Sequence, residues 1–462
     1  MRSIVAKITS ISQDMSAVFF AVPPGMFFKS VLLAVAIVSI AMPVQAADSN
    51  SPCDWAKTHV EELVKIYYEL HQSPELSFHE EKTAERLADE LRKLGCEVTT
   101  RVGGFGVVGV LKNGPGKVLL LRTDMDALPV IEQTQLPYAS KVKVHDDHGN
   151  EVGTMHACGH DIHMTSLIGV MRYLASHQKQ WQGTVVFVGQ PAEERGAGAK
   201  AMLDDGLYER FPKPDFAVAL HCDSALETGK VGFRSGPTLA NVDSVDVIMK
   251  GRGGHGAYPH TTVDPIVQAA QLVLDLQTVV SREIAPIDPA VITVGSIHGG
   301  TKHNVIGDEC HLQLTVRSYT PEVRTHLLEA IKRKANAVAA SYRAPEPVIE
   351  LTEGTPALVN DSPLVERISQ CVKRALGDAA VVDSEQSMGG EDFGRLGHGG
   401  VPVCMFRLGT IAPQRMARFA QLKVEVPSLH SALYYPDPVE SLETGVAAMS
   451  AAALDLLAPA QP

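Results

Sequence analysis

Several absences narrow the function of this sequence before any motif is considered. No low-complexity tract interrupts its 462 residues and no internal repeat recurs along it, so it is not a repeat array. Excess positive charge is missing too. The 41 Lys and Arg are outnumbered by 53 Asp and Glu, giving a net charge of −12, and no basic stripe offsets that average. A nucleic-acid surface is therefore excluded. Cysteine is sparse: the seven residues lie at 53, 96, 158, 222, 310, 371 and 404, odd in number and widely spaced. That is no dense disulfide framework, although a pair such as Cys53 and Cys96 could bridge.

What remains is ordinary for a globular enzyme, with 45% hydrophobic and 20% charged residues. The length exceeds the roughly 250–300 residues at which single cores stop growing, so two domains are expected. At the amino terminus Lys29 precedes an apolar run over 31–42, followed by Pro43-Val44-Gln45-Ala46-Ala47. That run would reach only about 18 Å as a helix, too short to cross a bilayer. The basic start, short apolar stretch and small-residue end predict a signal peptide over 1–46, cleaved after Ala46, with Met26 as an alternative start. Export follows as an expectation, to the periplasm if the source is a Gram-negative bacterium.

Beyond it, two helices are expected over 55–95, broken at Gln72-Ser73-Pro74. Leu63, Ile66, Tyr67 and Leu70 share one face, as do Leu87, Leu91 and Leu94. Short apolar runs at 107–111, 118–121, 185–188, 216–220 and 403–406 read as buried strands, and 165–175 and 199–203 as helices. The alternation predicts an α/β domain with a mixed, largely parallel central sheet flanked by helices. The middle changes rhythm to strand 245–249, helix 265–280, strands 290–297 and 309–316, helix 322–340 and strand 348–351. This β-α-β-β-α-β order predicts an inserted ferredoxin-like α+β domain at 241–353, with 47–240 and 354–462 forming the first domain.

Polar residues follow the buried runs directly: Asp124 and Asp126, then Glu193 and Glu194, then His221. Open α/β sheets bind ligands at the carboxyl ends of their strands, so these distant residues can converge on one rim. The densest cluster is Met155-His156-Ala157-Cys158-Gly159-His160-Asp161, with His163 beyond it. A lone Cys or His is usually packing, but thiolate and imidazole are both zinc-type ligands and one turn can aim both at one centre. The rival reading is a Cys/His/Asp nucleophile set. It is disfavoured because reactive triads usually assemble from distant segments. In Gln190-Pro191-Ala192-Glu193-Glu194, one carboxylate can bind a metal ion while its neighbour takes a proton from water that the ion acidifies.

Together these segments resemble the metal-dependent amidohydrolase and metallopeptidase family of aminoacylases, hippurate hydrolases and indole-acetyl-amino-acid hydrolases. The resemblance covers nearly all of the chain past the leader. It rests on Leu70-His71-Gln72-Ser73-Pro74-Glu75-Leu76-Ser77-Phe78, on Arg122-Thr123-Asp124-Met125-Asp126-Ala127-Leu128-Pro129, and on the 155–161 and 190–194 segments. Gly253-Gly254-His255-Gly256-Ala257-Tyr258-Pro259-His260, Asn304-Val305-Ile306, Gly389-Gly390-Glu391-Asp392-Phe393 and Leu429-His430 complete it.

The resemblance implies two divalent ions per subunit, zinc or manganese, with cobalt or nickel also suited to such ligands. By motif match Cys158 would bridge them, with His160, Glu194, His221 and His430 as the other ligands. Glu193 would be general base and then acid, and Asp126 would orient a ligand. The inserted domain would act as lid and homodimerisation module. From it His255 would stabilise an oxyanion, while Asn304 and Arg317 would hold the substrate carbonyl and carboxylate. The implied substrate is an N-acyl amino acid, and the alternative is a peptide cleaved by a carboxypeptidase or dipeptidase. A binding protein that has lost catalysis is a third class, which retention of Glu193 and all five ligands opposes. Departures from the family pattern flank the cleft: Cys222 after His221, Lys302-His303 before Asn304, and 431–435 after His430. They bear on specificity more than on metal binding.

Overall fold

A computed structural model describes residues 51–459, so the expected leader over 1–46 and the alternative start Met26 lie outside the described residues. The first helix, α1 (Pro52–His71), begins where Ser51 accepts a hydrogen bond from the Asp54 backbone N–H and Pro52 occupies a position that needs no donor. It buries Leu63, Ile66, Tyr67 and Leu70, and α2 (Glu81–Lys93) buries Leu87 and Leu91. Both pack on one face of an eight-stranded sheet.

That sheet contains β1 (Glu97–Val102), β2 (Gly106–Asn113), β3 (Val118–Asp124), β4 (Gly183–Gln190), β5 (Phe216–Glu227) and β6 (Val231–Phe233). Two strands from the far end of the chain, here β11 (Val381–Asp383) and β12 (Val403–Ile411), join them to give the spatial order β1-β2-β4-β3-β5-β12-β6-β11. The central pairs β4/β3, β3/β5 and β5/β12 are parallel, whereas β1/β2, β2/β4 and β12/β6 are antiparallel. The core strands are buried on both faces, which explains their continuous apolar runs. Leu119, Leu121, Phe187, Leu220 and Phe406 pack towards α1, α2, α3 (His160–Ser176) and the last helix, Pro438–Leu456. Leu120, Val186, Val188, Ala219 and Met405 pack on the opposite face against α4 (Gly198–Asp204) and Phe393.

A second sheet lies within 241–353. Its strands are β7 (Asn241–Lys250), β8 (Ala290–Gly299), β9 (Glu309–Ser318) and β10 (Val348–Glu353), in the order β8-β9-β7-β10 and antiparallel throughout. Helices α5 (Pro265–Glu283) and α6 (Pro321–Ser341) connect them, which is the ferredoxin-like arrangement. Alternation along β9 is strict over Cys310, Leu312, Leu314 and Val316, whose side chains face the two helices. Asp264 and Thr320 cap those helices by accepting from the backbone N–H groups of Ile266 and Val323.

All seven cysteines are free, so Cys53 and Cys96 form no bridge. Among the described residues no helix is long and apolar enough to cross a membrane.

Candidate active site

The carboxyl ends of the parallel strands supply the site. Where β3 ends, Asp124 and Asp126 are buried, and a turn at 155–159 leads into α3. Gly159, between Cys158 and His160, has φ +81°, and a Cβ there would meet Cys222 Sγ at 2.8 Å and Tyr434 Oη at 3.4 Å. Only glycine suits both the left-handed backbone and the contact. Gly159→Ala is therefore expected to be destabilising, by about 1–2 kcal/mol for the backbone alone, and to displace the two side chains it separates. Thermal melting and metal content measured on that variant check this. A variant with unchanged melting and full metal content would contradict it.

Two other turns show similar strain. Ala192, just before Glu193, has φ +49°, and His430 has φ +67° while its N–H donates to the Ala157 carbonyl at 2.8 Å. Positive φ at residues other than glycine clusters at functional sites, where the surrounding structure enforces it.

These turns and β5 bring five side chains together. Cys158, His160 and His221 offer ligand atoms all within 4.8 Å of one another, and so do Cys158, Glu194 and His430. The two sets share Cys158. His160 donates its Nδ1–H to the Asp126 carbonyl at 2.8 Å and His221 donates its own to the Cys222 carbonyl at 2.8 Å, which turns both Nε2 atoms towards the centre. The His221 Nε2 lies 3.7 Å from Cys158 Sγ, and the His430 Nε2 lies 3.5 Å from Glu194 Oε1. Buried atoms left without a hydrogen bond include His160 Nε2 and Glu194 Oε1. Unpaired polar atoms are costly in a protein interior, and a divalent ion would satisfy both. Thiolate, imidazole and carboxylate together suit a transition-type ion.

The electrostatics fit the same purpose. Burial, followed by His163 and Arg407, holds His221 well below its usual value, so it is a neutral imidazole ready to ligate. Burial opposes charge on His160, but Asp124, Asp126 and Glu194 outweigh it and hold the ring up at about 10. Burial raises Glu194 to about 7 and, with Glu194 and Glu193, pushes the Cys158 thiol well up. Glu193 is also raised well above the carboxylate range, by burial and then by Glu391 and Glu194.

Asp126 ties the pieces together. Its carboxylate accepts from Ser77 Oγ at 2.6 Å and from the Glu194 N–H at 3.0 Å, so one residue orients His160 through its carbonyl and fixes the turn that carries Glu194. Arg317 from β9 lines the same cavity of about 400 Å³ as Cys158, Glu193 and His430. His255 and Asn304 do not. His255 lies on an exposed pair of short strands and Asn304 in the turn just before the second of them, where Gly256 N–H donates to the Asn304 carbonyl at 2.9 Å and His255 Nδ1 accepts from the Ala257 N–H.

Three further residues support the ligands, of which only Arg122 carries no role in the sequence. Arg122, wholly buried, pairs with Asp124 at 2.8 Å, Glu391 at 2.8 Å and Asp392 at 3.4 Å, and donates to Gln190 at 3.0 Å. This cluster knits β3 to β4 and the 391–392 turn beneath Glu193. His163 donates its Nδ1–H to Asp124 at 2.7 Å and accepts from the Cys222 N–H at 2.7 Å. Asp161 accepts from His71 at 2.6 Å, holding α1 against the first turn of α3. Sequence adjacency to the ligands was the only signal for the last two. Cys222 is a packing residue, fully buried beneath Gly159.

Residues 120–435 match the family described as peptidase family M20/M25/M40. The chain belongs to that family. It is 36% identical over 352 residues to thermostable carboxypeptidase 1 of Saccharolobus solfataricus, covering 75% of this chain and 86% of that one. To N-acetyldiaminopimelate deacetylase of Priestia megaterium it is 38% identical over 352 residues, 75% of this chain and 89% of the relative. A solved Bacillus subtilis protein, YXEP, described as a dinuclear metal binding peptidase from the M20 family, superimposes with a TM-score of 0.71 at 31% identity. That match covers 87% of this chain and 99% of the other. The protein is thus a metal-dependent hydrolase of this family.

Proposed function

We propose that this protein hydrolyses the amide bond of N-acyl amino acids, releasing a carboxylate and a free amino acid. The carrying observation is the pair of three-ligand sets joined at Cys158, with the buried Glu193 beside them and Arg317 on the same cavity. Divalent ions held by Cys158, His160, His221, Glu194 and His430 would polarise the amide carbonyl and acidify a water molecule. Glu193 takes one proton from that water as its oxygen bonds to the carbonyl carbon, and returns it to the amide nitrogen as the C–N bond breaks. Its raised proton affinity suits a group that must hold the proton between those steps. Arg317 receives the substrate carboxylate, and its guanidinium is steadied by donation to the Met388 carbonyl at 2.6 Å.

In this reading His255 and Asn304 complete the site from a second copy of the chain, since they stand exposed and away from the cavity of their own subunit. A homodimer formed through the ferredoxin-like domain is part of the proposal, as is export to the periplasm. His255→Ala should slow turnover with metal retained, and unchanged kinetics would remove it from the mechanism.

The second reading, a carboxypeptidase or dipeptidase, draws on the similarity to thermostable carboxypeptidase 1. Enzyme reconstituted separately with zinc, manganese, cobalt and nickel, and assayed on N-acetyl amino acids, N-benzoyl amino acids and dipeptides, separates the two. Dipeptides cleaved faster than every N-acyl amino acid would overturn the first reading.

A further inference from the structure

Three guanidinium groups line the active-site cavity: Arg195, Arg317 and Arg407. Arg195 is neutralised by Asp147 at 2.6 Å. Neither Arg317 nor Arg407 has a carboxylate within ion-pair distance among the described residues. Among the described residues Arg317 makes only neutral contacts, to the Met388 carbonyl and to Thr315 Oγ1. Among the described residues, the carboxylates lining the cavity are otherwise engaged. Glu194 belongs to the ligand sets, Glu193 is reserved for proton transfer, and Glu391 is paired with Arg122.

The position of Arg407 follows from strand register. It is paired with His221 across the parallel β5/β12 ladder. Its neighbours Phe406 and Leu408 point into the core on the α1 side, while Met405 shares the opposite face with Ala219. Arg407 and His221 therefore project side by side from the same face, at the end of the strands where the ligands gather. Arg317 reaches the cavity from the other sheet. A half-buried guanidinium without a counter-charge is costly, and this cavity presents two of them from two walls. One α-carboxylate satisfies one fork.

We propose that Arg407 binds a second carboxylate, so that the preferred substrates are N-acyl amino acids carrying two acidic groups. The inference rests on the N-acyl amino acid reading above and deepens it. The second acid can come from an acidic amino-acid side chain or from a dicarboxylic acyl group, and Arg407 would pair with either in the same way.

The test compares N-acetyl-leucine, N-acetyl-glutamate and N-succinyl-leucine on metal-loaded wild-type protein, Arg407→Met and Arg407→Lys. Wild type should favour at least one of the two diacids in kcat/KM by about tenfold or more. Arg407→Met should erase that preference mainly through KM, and Arg407→Lys should keep part of it. Which diacid is favoured identifies the source of the second acid. Hydrolysis of N-acetyl-leucine with no diacid preference, or a preference that survives in Arg407→Met, overturns the role of Arg407 and leaves the broader reading standing. Turnover of none of the three, with dipeptides cleaved, overturns both. Should Arg407→Met fail to fold, competitive inhibition of wild type decides instead. Glutarate should inhibit about tenfold more tightly than butyrate, and equal inhibition would overturn the proposal.

Discussion

Glu193→Gln is expected to reduce turnover by about 10³-fold or more while both ions stay bound. Glutamine keeps the size and the hydrogen-bonding outline of the side chain but cannot carry a proton between water and the leaving nitrogen. Retention of metal is expected because Glu193 belongs to neither of the two ligand sets that share Cys158, although its carboxylate also groups with His160 and Glu194 within 4.8 Å and approaches the His160 Nε2 to 3.8 Å. Metal analysis and kinetics on one preparation check both halves. Metal lost in step with activity would make Glu193 a ligand, and substantial activity with metal bound would remove it as the proton carrier.

Cys158→Ala is expected to cost more than any other ligand change, because the thiol is the one group common to both sets. Removing Glu194 or His430 should weaken one ion, whereas removing Cys158 should weaken both and abolish activity. The metal-free site also binds protons that the ions must displace. Burial lifts the Cys158 thiol, Glu194 is raised to about 7, and nearby carboxylates hold the charge on His160 up to about 10. Each of these raised values favours the protonated form, which competes with metal. Ion affinity should therefore climb as pH rises through neutrality, with protons released on loading. Calorimetric titration in buffers of different ionisation enthalpy measures that release. Affinity independent of pH would contradict the ligand assignment.

Much of the fold is readable because its central strands are buried on both faces and so leave unbroken apolar runs, as in β3 and β4. The ferredoxin-like unit is equally plain, since strict alternation in β9 and long amphipathic helices fix the order of its elements. The edges are less legible. β1 is largely exposed, and β6 and β11 span three residues each, too short for a period to register. The ligand candidates stand out because the 155–161 segment packs Cys158 and His160 into one short cluster and the Glu193-Glu194 pair follows the buried β4 directly.

Their supports do not, because Arg122 meets Glu391 and Asp392 across about 270 residues of chain. An ion pair that distant leaves no local pattern, and a buried arginine inside an apolar strand looks in sequence like a surface charge. Arg407 is hidden for the same reason. Its neighbour His221 is supplied by register, which no single segment encodes. The separation of His255 and Asn304 from the cavity is likewise a matter of tertiary placement.

The most direct test of the two-ion site is a crystal structure of the metal-loaded protein, with data collected at the absorption edge of the metal. The account predicts two anomalous peaks about 3.5–4 Å apart, flanking Cys158 Sγ, one beside His160 and His221 and the other beside Glu194 and His430. A single peak at full loading, or two peaks that do not share Cys158, would contradict it.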